Sequence, residues 1–215
     1  VMTMIADNDS LFLHADTLKS LYFEETDQRK VFAYNRARFF RKDLQGLSDS
    51  IVYNSADSTI YMYHDPVLWS DMYQLRARTI EVRTNGEEVE YINLIDAAFI
   101  IAEEDTVGFN QIKGRTMKGH FRDNALYRVD VDGNGETIFH IREDDGSLVG
   151  INKAISSNIV IFVEGSEVTG IQFIRQPDAT LYPPEDLPQS DRLLQNFEWL
   201  DHRRPLSKDD IFIWR

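Results

Sequence analysis

Apolar and polar residues alternate along most of this chain. From Ser10 the alternation sets Leu11, Leu13 and Ala15 on one side; after the polar turn Glu24–Lys30 it resumes with Val31, Ala33, Ala37 and Phe39. A period of two is the mark of a half-buried strand, so the stretch reads as strand, turn, strand. The alternate face carries Phe32, Tyr34, Arg36, Arg38 and Phe40, aromatic and basic rather than plainly polar, which suits a face that is covered. The run Leu47–Asp71 is a complete unit of this kind, turning through Asn54–Ser58 and leaving through Ile60, Met62, Val67, Leu68 and Trp69. Pro66 has no N–H to give a ladder, so it marks a strand start, a bulge or an edge.

The unit recurs. Its opening step reads LHADTL from Leu13, LSDSIV from Leu47, LRARTI from Leu75, IKGRTM from Ile112 and ISSNIV from Ile155. Repetition at this spacing means stacked supersecondary units, so an all-β protein of stacked strand-turn-strand repeats is expected. Asn85–Gly86 and Gly133–Asn134–Gly135 are expected to turn hairpins, and Glu164–Gly165–Ser166 to hinge two short strands. Asp43, Asp71 and Asp105 each end an outgoing strand. No charged-apolar-small signal pattern stands at the N-terminus, and the repeat pattern is already under way at Val1, so further chain is expected ahead of that residue.

Composition changes after residue 176. Pro177, Pro183, Pro184, Pro188 and Pro205 punctuate the C-terminal stretch, and SDRLLQNFEWLDH has a helix-like start with Leu193, Leu194, Phe197 and Leu200 as its apolar positions. Residues 1–176 are therefore expected to form the repeat domain. Residues 177–215 are expected to form a Pro-rich tail with a short helix, a cap or a linker.

Charge and composition narrow the chemistry. With 36 acidic against 23 basic residues in 215, the formal charge is −13, which argues against nucleic acid as a partner. There is no cysteine, hence no disulfide and no thiolate chemistry. No apolar run has the roughly 18–20 residues of a membrane-spanning helix. Asp130, Asp132 and Asn134 match the first half of a calcium loop, but Ile141 stands where the bidentate Glu belongs and the flanks are strand-like. His14, His64, His120, His140 and His202 have no metal-ligand spacing. Glu87–Glu88, Glu103–Glu104–Asp105 and Asp144–Asp145 would be candidates for a glycosidase pair, but they sit in expected turns, where acids solvate the loop. No metal, no cofactor and no catalytic residue is expected.

The repeated step and its V-x-A-x-N-x-A-x-F return resemble the OstA-like family, which includes the periplasmic lipopolysaccharide-transport protein LptA and the N-terminal domain of LptD. The match runs over about residues 10–175: Leu13, Ala15, Asp16 and Leu18 fit the step fully, Leu47, Asp49 and Ile51 fit with Ser48 beside the Ala slot, and Leu75, Ala77 and Ile80 fit with Arg78 for Asp. Asn35 stands where the family often has Gly. Ile112, Gly114, Arg115 and Met117 lack both Ala and Asp, and the fifth copy offers Ile155, Ser157 and Asn158.

The resemblance implies a twisted, partly open β-jellyroll with a short helical or irregular tail, in the periplasm and in contact with outer-membrane biogenesis. It implies a non-enzymatic carrier or bridge for lipopolysaccharide, which holds the acyl chains of lipid A in an apolar trough. Partners would be other lipopolysaccharide-transport components and further copies joined head to tail. The expected lining is Leu13, Ala15, Leu18, Val31, Ala33, Ala37, Phe39, Leu47, Ile51, Ile60, Met62, Leu68, Leu75, Ala77, Ile80, Phe99, Ile101 and Met117. Arg36, Arg38 and Arg41 are the basic groups that could soften an acidic surface toward lipid phosphate. The competing expectations are a carbohydrate-active β-solenoid enzyme using surface carboxylates, and an interaction module with a closed core.

Overall fold

The computed structural model of the protein describes residues 2–6, 9–85, 88–104, 108–143, 145–165 and 167–214. Gly86, Glu87, Asp105, Asp144 and Ser166, which belong to the expected turns, lie outside them. Fifteen strands are described: β1 (Met2–Ala6), β2 (Asp9–His14), β3 (Thr17–Phe23), β4 (Gln28–Phe40), β5 (Leu44–Asn54), β6 (Thr59–Tyr63), β7 (Val67–Ser70), β8 (Tyr73–Arg76), β9 (Thr79–Asn85), β10 (Glu88–Glu104), β11 (Gly108–Arg122), β12 (Ala125–Arg142), β13 (Leu148–Glu164), β14 (Glu167–Ile174) and β15 (Asp178–Tyr182). All pairings are antiparallel and all belong to one continuous sheet.

What makes a jellyroll of this meander is a single fold line that the chain crosses repeatedly, within the long strands and between the short ones. Alternate crossings are made by two consecutive residues in the left-handed region: Asn35–Arg36, His64–Asp65, Asp96–Ala97, Gly133–Asn134 and Arg175–Gln176, with φ between 50° and 79°. Asn and Asp tolerate that region better than branched residues, and Gly is at ease in it. The strands between them cross at Asp16, Asp49, Arg78 and Ser157, whose N–H groups donate to the carbonyls of Asn35, His64, Asp96 and Arg175. The line divides the sheet into a front wall, which holds β3, β6, β9 and β14, and a back wall, which holds β2, β7, β8 and β15. The long strands contribute half of themselves to each.

Small residues let the walls meet at the line. A Cβ on Gly114 would stand 2.6 Å from Val131, and one on Gly135 2.6 Å from Ile159. Beyond the line the walls diverge around a shared apolar interior. The repeated sequence step is this crossing: Leu13 in the back wall, Ala15 at the apex, Asp16 on the line, Leu18 in the front wall.

Three expectations are corrected by the strand course. Gly133–Asn134–Gly135 turns no hairpin, because β12 runs unbroken from Ala125 to Arg142 and these residues bend it across the fold line. Asp130, Asp132 and Asn134 accordingly lie within that strand rather than in a loop. The second and fifth copies were set one residue out: Gly46, not Leu47, is the cross-strand neighbour of Phe39, and Ala154, not Ile155, occupies the corresponding place on β13.

The expected helix over residues 190–202 does not form. The tail carries 3-10 turns at Gln189–Asp191, Asp201–Arg203 and Asp210–Phe212, and otherwise lies extended as a strap across the outer face of the back wall. Three buried glutamines on one cross-strand row hold it, with Trp69 and Ile101 between them. Gln111 donates to Arg192 O at 2.8 Å and accepts from Leu194 N at 2.8 Å; Gln74 does the same with Glu198 O at 2.7 Å and Leu200 N at 2.6 Å. Gln45 accepts from Arg204 Nε at 2.8 Å. Backbone groups satisfied in this way are not available to a helix, and Leu187 and Leu194 are drawn onto Phe99, Ile101, Ile138 and Ile151 instead.

Candidate functional site

The interior differs between the two ends of the sheet. At the N-terminal end it is filled: Ala33, Ala37, Phe39, Met62 and Leu68 are all at most 1% exposed. Phe39 lies over Gly46, where a Cβ would meet its ring at 2.4 Å and the Met62 methyl at 3.0 Å. Toward the C-terminal end the walls stand apart around two cavities. One, of ≈ 460 Å³, is lined by Leu75, Ile92, Leu94, Met117, Phe121 and Val129 among others. The second, of ≈ 1110 Å³, is lined by Ile112, Phe139, Ile161, Val163, Ile171 and Phe173 among others. Tyr73, Ile100, Leu126 and Val129 border both, so the two spaces adjoin.

The larger space has a polar mouth. Glu104 accepts from Arg142 Nε at 2.7 Å and from Asn110 Nδ2 at 2.7 Å. With its amide nitrogen so engaged, Asn110 presents its oxygen to the N–H of His140 at 2.8 Å and to His140 Nδ1 at 3.0 Å, which assigns the proton to Nδ1. Burial pushes the His140 pKa below its ordinary 6.5, so the neutral ring is the favoured form. Burial, helped by Asp71, Glu104 and Glu167, raises the Tyr73 hydroxyl to about 12 and keeps it a neutral donor beside the apolar lining. Each of these groups orients or neutralises its neighbour. None is arranged as a nucleophile with its base.

Most of the expected lining faces the interior. Leu13, Phe39, Leu68 and Leu75 come from the back wall; Leu18, Val31, Ala33, Ile51, Ile60, Met62, Ile80 and Met117 come from the front wall; Ala15, Ala37 and Ala77 lie along the fold line. Of these only Leu75 and Met117 border a cavity inside the walls, and the rest are packed core or its edge. Leu47, Phe99 and Ile101 face the other way, under the strap, because a one-residue change of register moves a strand residue to the opposite face. Phe139, Ile161, Ile171 and Phe173, which border the larger cavity, were not singled out from the sequence. The alternation Ile159, Ile161, Val163 was the signal that could have found them.

No family model matches the chain, and no curated protein matches it either. Among solved structures, LptH from Pseudomonas aeruginosa, described as the LptA-homologous periplasmic component of the lipopolysaccharide transport device, is similar to this chain at 15% identity. The likeness covers 66% of this chain and 99% of LptH, with a TM-score of 0.48.

The basic residues named from the sequence separate. Arg36 forms a two-point ion pair with Asp16 on the fold line, at 2.8 and 3.0 Å. Arg38 is buried under the strap, where it donates to the Ile213 carbonyl. Arg41 alone reaches a cavity, at the mouth of the smaller one, where Asp43 accepts from it at 2.6 and 2.8 Å.

Proposed function

We propose that the protein is a non-enzymatic carrier of acyl-chain lipids, an OstA-like component of lipopolysaccharide transport that works in the periplasm at the outer membrane. The observation that carries this reading is the unfilled apolar space between the two walls, ≈ 1110 Å³ in its larger part. Each methylene that enters such a space contributes about 0.8 kcal/mol, so a chain is held without any reactive group. The lipid is lipopolysaccharide, held by its lipid A acyl chains. The lining is the cavity border together with those interior residues of the N-terminal end that yield when lipid enters. Edge strands β14 and β15 at one end and β1 and β3 at the other have unpaired sides, which suits head-to-tail pairing with further copies or with other transport components. No described helix is long and apolar enough to cross a membrane.

Photo-crosslinking in cells tests the reading. A crosslinker at Ile171 or Phe139, inside the trough, is expected to capture lipopolysaccharide, and one at Phe162, exposed on the outer face of the front wall, is not. Equal capture at all three, or capture at none, sinks the carrier reading. Ala102→Phe, which puts a ring into the larger cavity, is expected to abolish capture at Ile171 while the fold persists.

A further inference from the structure

The smaller cavity has one border residue that the repeats do not supply. Arg204 belongs to the strap, yet it reaches round the back wall to line the mouth of the apolar space together with Arg41 and Lys42. Its position is fixed from several sides. The 3-10 turn Asp201–Arg203 precedes it, its own N–H donates to Asp201 O at 2.9 Å, and buried Pro205 comes next, which favours the extended backbone it adopts. Its Nε donates to Gln45 Oε1 at 2.8 Å, and Gln45 is itself aimed by its donations to Arg41 O at 2.6 Å and Lys42 O at 3.0 Å.

The charge of Arg204 is incompletely answered. Its side chain is 19% exposed, and the nearest carboxylate oxygen, on Asp201, is 4.0 Å away. Burial lowers its pKa from the ordinary arginine value despite Asp201 and Asp71, so loss of water outweighs what those acids return. Of the acids that line the mouth, Asp43 is held at two points by Arg41, and Asp71 acts on Arg204 without offsetting its loss of water. A half-buried guanidinium at the rim of an apolar space, in a chain of charge −13, is the arrangement expected where an anion and an alkyl chain arrive together.

We propose that Arg204 binds the anionic head group of the acyl-chain ligand at this mouth, so that the strap is part of the ligand site rather than only a cover. The inference rests on the carrier reading and adds to it the charge of the ligand and the residue that reads it. The ligand class is an amphiphile with a phosphate or carboxylate at the head of an alkyl chain. Lys42 and Arg41 flank it, and Gln45 keeps the guanidinium plane turned to it.

Calorimetry on the full chain with dodecyl phosphate, dodecanol and inorganic phosphate separates the two claims. The phosphate ester is expected to bind about tenfold or more tighter than the alcohol, with inorganic phosphate alone not detected. Arg204→Gln is expected to bring the ester down to the alcohol's affinity and to leave the alcohol unchanged, which also shows an intact trough. Should Arg204→Gln lose the alcohol as well, Arg204→Lys decides, since it must keep a preference for the ester. An undiminished preference in Arg204→Gln, or none in Arg204→Lys, overturns the role of Arg204 and leaves the carrier reading standing. Inorganic phosphate binding as tightly as the ester overturns it too, by showing a site for free anions. Binding of neither chain overturns both.

Discussion

The two ends of the trough are built from one repeat and behave differently. At the N-terminal end a phenylalanine closes over a glycine, and Met62 completes the filling. At the C-terminal end the short side chains of Ala102 and Asn152 are among those the back wall turns to the cavity that Ile161, Ile171 and Phe173 border from the front. The difference lies in side-chain volume on a constant backbone plan. It is also compensated from outside. The apolar cluster of Phe99, Ile101, Ile138, Ile151, Leu187 and Leu194 backs the open end, while Leu47, Val67 and Trp69 with Leu200, and the turn Asp210–Phe212 with its buried Ile211, back the filled one. A wall that has no partner inside is thus held by the strap outside, and the protein keeps an empty space without losing the wall that borders it.

The strongest way to break the comparison is Phe39→Ala. A fully buried phenylalanine removed from a packed interior costs about 3–5 kcal/mol, read by denaturant unfolding. If volume alone separates the ends, the variant also gains uptake of a hydrophobic dye at the N-terminal end, detected by energy transfer from Trp69. Loss of stability without new uptake would show that the space collapses and that backbone spacing matters too.

Gln111→Leu tests the outside support. It removes the partner of the Arg192 carbonyl and the Leu194 N–H, and two backbone groups left unpaired near a buried cluster cost about 1–3 kcal/mol each. Proteolysis between residues 183 and 194 should accelerate, and dye uptake into the larger cavity should become heterogeneous. A strap that stays protected would show that the apolar cluster alone holds it.

Particular residues show how much of this was legible in the sequence. Alternation and the repeated step gave the strands, the interior face of Leu13, Met62 and Ile80, and the continuity of the sheet, because period two is a local property. The fold line was not legible. Gly133–Asn134–Gly135 carries hairpin chemistry and makes a bend, since the same left-handed residues serve either use and the choice depends on neighbouring strands. That line also displaced Leu47 by one residue and so turned it outward. The strap was hidden for another reason: Gln45, Gln74 and Gln111 look like ordinary surface polar residues until a distant segment lies on them, and the side chain of Arg204 is aimed by Gln45, far from it in sequence. The unfilled cavity is a matter of summed volumes, which no periodicity contains.

Ala97→Gly sharpens the comparison at the element both ends share. Ala97 has φ 52° on β10, and an alanine there carries a cost of roughly 1 kcal/mol that glycine escapes. A small gain, partly offset by glycine's larger entropy in the unfolded chain, is expected in thermal unfolding, with dye uptake unchanged. Altered uptake would mean that the fold line sets the opening of the walls.

The smallest effect expected is in pH dependence, and it divides the ends once more. His140 lies at the mouth of the open end, and His14 lies at the other end against Phe212 of the strap, ring centroids 5.0 Å apart. Burial is the leading cause of a lowered pKa in both. A histidine whose folded pKa is depressed is neutral when folded and takes up its proton more readily when unfolded. Its stabilising effect is therefore whole above the unfolded value of 6.5 and declines as pH falls from there toward the folded pKa. Thermal unfolding of the wild type should shift downward over that interval. His140→Gln, whose amide can still donate to Asn110, should flatten the part of the slope that belongs to the open end, and His14→Gln the part that belongs to the strap tip. If lipid fills the trough, saturating dodecyl phosphate buries the His140 mouth further and steepens only the slope that His140→Gln removes. A slope that steepens equally in His140→Gln would place the protonating group elsewhere and detach the mouth from the ligand.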